Sequence, residues 1–196
     1  METRREGNPL RGRLCALGAV AFWGVSFVAT KVALREMAPG LLVWVRCTLG
    51  LGVFTLAARS RGVPLGVPRE LRLYLGVMGF LGIPFHLMIQ TLGLRTVAAS
   101  STAWIVAVSP ALVALLGWAF LRERLSWRGA GGIALAMGGV LLVAGGGGSG
   151  GWGLGDALVF LSAWNWAVFC VASRRGLRAL APAHLGWAIQ VCGWIA

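Results

Sequence analysis

"AFWGVSFVATKVAL", Ala21 to Leu34, decides how the rest of the sequence is read. It closes an apolar run that starts near residue 14, and no charge interrupts that run before Lys31, the only lysine in a chain with seventeen arginines. At 1.5 Å per residue, about 20 such residues cross the roughly 30 Å of a bilayer's hydrocarbon. Comparable runs recur near 39–58, 73–93, 97–121, 129–147 and 154–173, which makes six complete spans with 14–34. A seventh begins near Ala183 and is still apolar at Ala196, so the chain reads as the N-terminal part of a longer one. In hydrocarbon every backbone polar group must find its partner within its own element, and for runs of this length that means helices. The fold class expected is an all-α integral membrane protein, a multi-span helical bundle.

Composition agrees. The sequence is 58% hydrophobic and 12% charged, against roughly 25% charged in a soluble domain. A net charge of +12 would point to nucleic acid in a soluble protein, but its distribution excludes that partner. Arg4, Arg5, Arg11 and Arg13 precede the first span, and Arg59, Arg61, Arg69 and Arg72 follow the second. Arg122, Arg124 and Arg128 follow the fourth, and Arg174, Arg175 and Arg178 follow the sixth. The alternate connections carry only Lys31 with Arg35, then Arg95, then the uncharged "GGGGSGG". The positive-inside rule therefore predicts residues 1–13 to be a cytoplasmic tail, on a protein of a bacterial-type cytoplasmic (inner) membrane. A cleaved signal peptide does not fit, because Lys31 and Arg35 stand where a small-residue cleavage site belongs. Cys15, Cys47, Cys170 and Cys192 are scattered singly with no metal-ligand spacing and read as small hydrophobes.

Sliding the sequence along itself suggests an internal repeat. Trp23 meets Trp164 at an offset of 141, while Ala38-Pro39 meets Ala181-Pro182 and Trp44 meets Trp187 at 143, as if the second copy carried two extra residues. The copies are residues 14–147 and, begun but not finished, 154–196, joined by a glycine-rich linker at 148–153. Five spans per copy is an odd number, so the second copy enters the membrane from the opposite face, an inverted repeat of five-helix halves. About ten helices are then expected in the full length, six and part of a seventh being present here. Gly147 to Gly151 also satisfies the nucleophile-elbow pattern G-x-S-x-G, but no strand precedes it and the composition is that of a linker.

Trp23, Gly24 and Phe27 with Lys31 a turn later, Arg46, Pro110, "LRERLSWRGAGGIALAMGGVLLV" (121–143) and "GDALVFLSAWNWAVFCVASR" (155–174) together resemble the EamA-type branch of the drug/metabolite transporter superfamily. The resemblance implies a ten-helix secondary transporter of two inverted halves, with a small-metabolite site near the bilayer midplane. Its competitor among transporters, the proton-coupled small multidrug resistance type, needs a carboxylate within the first span, where there is none.

Polar residues inside the spans are the candidate site. Trp23, Ser26 and Thr30 share one face of the first span, with Lys31 at its end, and Trp164 and Asn165 hold the related place in the sixth. Lys31 and Arg46 could snorkel to the outer interface or attract an anionic or zwitterionic substrate. His86 and Gln90, four apart, share a face of the third span, and Ser101 and Trp104, three apart, a face of the fourth. Pro110 loosens the fourth span, so the third and fourth are the expected cavity walls. The fifth, with Ala130, Ala134 and Gly138 at four-residue spacing, is expected to be a packed scaffold. Asp156 suits the start of the sixth helix as a cap, and Glu123 is expected to pair with a neighbouring arginine.

The function expected is a permease moving a small metabolite, amino-acid-like or drug-like, by alternating access. The partners are that small-molecule substrate, the lipid bilayer and a second copy in a homodimer; no cofactor, metal or catalytic residue is expected. A non-transporting structural or regulatory membrane protein is the alternative. A membrane enzyme is disfavoured by six unclustered acids and two histidines about a hundred residues apart.

Overall fold

The computed structural model describes residues 9–146 and 152–196, so Arg4, Arg5 and the glycine-rich stretch 147–151 lie outside the described residues. The described residues are helices joined by short connections. They comprise α1 (Pro9–Ala33), α2 (Pro39–Ser60), a 3-10 turn (Arg69–Leu71), α3 (Arg72–Phe80), a π-turn (Leu81–Phe85) and α4 (His86–Thr96). α5 (Ala99–Val106), α6 (Ser109–Leu121), α7 (Trp127–Gly146), α8 (Leu154–Ala179) and α9 (Pro182–Ile195) follow. Among the described residues, five segments are long and apolar enough to cross a membrane: Gly12–Ala33, Pro39–Ser60, Arg69–Thr96, Ala99–Leu121 and Leu154–Ala179. The apolar part of α7, Trp127–Leu142, is shorter. This is a multi-span helical membrane protein.

Two spans are interrupted, each at a proline that withholds an amide hydrogen from the preceding turn. In the third span Pro84 sits inside the π-turn, and the Leu81 carbonyl is taken by Asn165 Nδ2 of α8 at 2.8 Å. In the fourth, the helix breaks between α5 and α6 just before Pro110, and the Ser109 hydroxyl donates to the Val106 carbonyl at 2.6 Å. That carbonyl is the one a residue at position 110 would otherwise have bonded. Side chains thus meet carbonyls at both breaks, Ser109 the one that Pro110 frees and Asn165 one within the π-turn.

The helices pack around two cores. One joins α1, α5, α6, α7 and α8 through Phe27, Ile105, Leu112, Leu116, Val140 and Val159. The other joins α2, α3 and α9 through Ala58, Leu75, Met78, Leu185 and Ile189. Close crossings rest on glycines: a Cβ on Gly93 of α4 would stand 2.7 Å from the Gly155 carbonyl of α8, and one on Gly193 of α9 would stand 2.6 Å from the Gly79 carbonyl of α3. Without a hydrophobic drive between helices, backbones that approach this closely gain their stability from packing. The stripe on α7 behaves otherwise. A Cβ on Gly131, Gly132, Gly138 or Gly139 would meet nothing within 4 Å, and the helix packs instead through Val140 with Ala136 and Met137.

The connections gather at two ends. At the arginine-rich end the Tyr74 hydroxyl donates to the Ala172 carbonyl (2.8 Å) and accepts from Gly176 N–H (3.0 Å), with the Arg175 guanidinium 5.7 Å over the Tyr74 ring. Glu123 pairs there with Arg174 of α8, not with one of its sequence neighbours. At the opposite end Asp156 accepts from Gly153 N–H at 3.0 Å, capping α8.

Candidate functional site

Where the third span loosens, a cavity of about 200 Å³ opens between it and α1, α2 and α8. Its walls are Trp23 of α1, Arg46 of α2, Gly82 and Ile83 of the π-turn, His86, Leu87 and Gln90 of α4, and Trp166 of α8. Of the residues expected from sequence, Trp23, Arg46, His86 and Gln90 therefore meet in one place. The four-residue spacing of His86 and Gln90 does put both on one helix face.

Arg46 reaches across from α2, and its Nη1 donates to the Thr30 hydroxyl at 3.2 Å, so Thr30 holds the guanidinium at the cavity's edge. His86 is 5% exposed, and its Nδ1 lies 3.1 Å from the Ser162 carbonyl. A carbonyl only accepts, so Nδ1 carries the hydrogen and Nε2 of the neutral ring is left as an acceptor. Gln90 is 4% exposed, and its Nε2 has no hydrogen-bond partner. The aromatic wall centres on Trp166, whose ring lies 5.1 Å from His86, 6.4 Å from Trp23 and 5.1 Å from Phe169, nearly parallel to the last at 23°. The cavity thus pairs one cation and two neutral polar groups with indole faces, and among the described residues no carboxylate lines it.

The other expected residues go elsewhere. Lys31 does not line the cavity: its Nζ donates to the carbonyls of Leu94 (2.6 Å), Arg95 (3.0 Å) and Val97 (2.8 Å), capping the end of α4 with all three of its hydrogens. The Ser26 hydroxyl turns back to the Trp23 carbonyl at 2.6 Å. Asn165 is spent on the Leu81 carbonyl, and Trp164, its neighbour, is exposed on the side of α8. Trp104 belongs to a separate apolar cleft of about 270 Å³ with Val108, Ala136 and Val140, and Ser101 of α5 lines neither cavity. The fourth span is therefore no wall of the polar cavity; α2 and α8 take that place beside the third.

Trp166 is the residue that sequence reasoning missed, although the signal was there. It follows Trp23 by 143, the offset already shown by Ala38-Pro39 and Trp44, so no two-residue insertion is needed. Two contacts support this register. Trp23 and Trp166 face each other in the cavity, and the Gln190 side chain donates to the carbonyl of Cys47, again 143 apart, at 3.1 Å. Both contacts join residues 143 apart, α1 to α8 across the cavity and α2 to α9.

Helices long and apolar enough to cross a membrane thus surround a small half-polar cavity, and among the described residues no group of His, Cys, Asp and Glu is placed to hold a metal ion. The chain belongs to the EamA-like transporter family, whose model matches residues 10–145. It is 27% identical over 165 residues to an S-adenosylmethionine/S-adenosylhomocysteine transporter of Chlamydia trachomatis, covering 78% of this chain and 50% of that one. Similarity also extends to the uncharacterized transporter YvbV of Bacillus subtilis (28%; 80% of this chain, 51% of that one). A probable terminal-alkyne amino-acid exporter of Streptantibioticus cattleyicolor is 28% identical (66% of this chain, 43% of that one). The chain spans about half the length of the curated relatives it matches. One solved crystal structure superposes with a TM-score of 0.61 at 23% identity, over 91% of this chain and 63% of that one, a likeness of fold alone.

Proposed function

We infer that this chain forms part of a secondary transporter that moves a small metabolite across the cytoplasmic membrane by alternating access, with the Trp23–Trp166 cavity as its binding site. The N-terminus is cytoplasmic in this reading, and two inverted halves rock about the axis on which Trp23 meets Trp166. The observation that carries it is the convergence of Arg46, His86 and Gln90 on that axis. Polar and charged groups inside a membrane are costly, and they stand together where a substrate held between two halves would touch both. At about 200 Å³ the cavity is smaller than the roughly 300–1,000 Å³ of drug-sized sites, which favours an amino-acid-like substrate over a bulky one.

The test is flux. Cells expressing the full-length protein are assayed with a panel of radiolabelled amino acids and small drugs, beside Trp166→Ala and Trp164→Ala variants at matched membrane levels. We expect Trp166→Ala to lose at least tenfold in transport and Trp164→Ala less than twofold. Flux no greater than in vector controls for the whole panel, or equal loss from both substitutions, overturns the reading.

A further inference from the structure

The structure assigns the cavity to a ligand bearing a single carboxylate, held by Arg46 with its apolar part against Trp23 and Trp166. This inference rests on the proposed transport site and names its substrate class.

Arg46 is partly buried and bonded to one neutral hydroxyl, Thr30, which leaves the rest of its fork of donors unpaired by any protein group described. The one ion pair among the described residues, Arg174 with Glu123, lies elsewhere, so the protein supplies no counter-charge here. A desolvated guanidinium without a counter-ion is expensive, and a planar carboxylate matches its fork with two parallel bonds. Gln90 adds a second, independent pointer. Its Nε2 is buried without a partner, a donor in the same wall as Arg46 and therefore in want of an acceptor. Two donors and no acid call for an anion. The charge count then chooses among anions: Arg46 is the one permanent cation in the wall, since Lys31 is committed to three carbonyls of its own. A monoanion balances it, whereas a phosphate dianion would leave surplus negative charge between two indoles. The same count leaves room for an ammonium, because His86 Nε2 is an acceptor, so a zwitterionic amino acid fits within the class.

The experiment is a binding titration by saturation-transfer NMR on the full-length protein in nanodiscs. The probes are 4-methylpentanoate, its amide, isopentylamine and isopentyl phosphate, which share one apolar group and differ in the head. We expect the carboxylate to bind at least tenfold tighter than the other three. Arg46→Gln should remove that advantage, and Arg46→Lys should restore part of it. The carboxylate preference is overturned if the amide, amine or phosphate binds as well as the acid, or if Arg46→Gln binds the acid like the parent; should that variant not fold, the four-probe ranking on the parent decides alone. Binding of another head group that depends on Trp166 sinks only the carboxylate and keeps the site. Binding of none sinks both.

Discussion

Lys31 shows how far one side chain's role depends on partners distant in sequence. Its ammonium closes three carbonyls that the end of α4 would otherwise leave open, 63 to 66 residues away. Hydrogen bonds to a charged group are worth about 1.5–3 kcal/mol, and less in membrane proteins where the unfolded chain also finds partners. Lys31→Met is therefore expected to lower stability by about 1–3 kcal/mol, read as a fall in the thermal midpoint, with ligand affinity changed less than twofold. An equal midpoint, or a loss of affinity at unchanged midpoint, would return Lys31 to the cavity. The sequence marks Lys31 as exceptional but cannot tell a cap from a ligand contact, because its acceptors are backbone atoms and any residue type supplies those. Trp166 is the opposite case. A letter match drew the eye to Trp164, while the period of 143, applied without exception, leads to the indole that lines the site.

The third span carries the site because it is not a regular helix. Pro84 interrupts the regular ladder, and Asn165 of α8 donates to the Leu81 carbonyl within the same turn. Asn165→Leu should therefore cost about 1–3 kcal/mol by orphaning a buried acceptor. Pro84→Ala returns an amide hydrogen to the Phe80 carbonyl and not to Leu81, so it should leave most of that cost in place in the double variant; strong rescue in a double-mutant cycle of thermal midpoints would show that the whole turn re-forms. Packing gives a second contrast between elements. Gly193→Ala drives a methyl into the Gly79 carbonyl and should destabilise by about 1–3 kcal/mol, while Gly138→Ala, with open space around it, should be neutral or mildly stabilising. Equal effects at both positions would mean that the α3–α9 crossing is looser than the backbone distance implies. Pro110 was readable as a break in the fourth span, whereas Pro84 in the third was not singled out. Which break lies beside a cavity was not legible, because that depends on the helices packed against it, as α8 with Asn165 is packed against the third span.

At the scale of the whole molecule the apolar spans were the most legible feature, since hydropathy is summed over about twenty residues and survives single errors. Among the described residues, Arg174 pairs with Glu123 and Arg175 lies over the Tyr74 ring at the end of α8. A reporter fused after Arg128 is expected to be active on the cytoplasmic side and one inserted at 147–151 on the outside; the reverse at either site would invert the topology. Long-range bonds such as Gln190 to Cys47 were not legible, for they join residue types with no mutual signature. One pair of them has a consequence for the two ends of the bundle. Lys31 ties α1 to residues 94–97 and Arg174 ties α8 to Glu123, at opposite ends. Each end is thus held by a single basic side chain that reaches a distant connection, so removing one fastener should loosen its own end and leave the other closed.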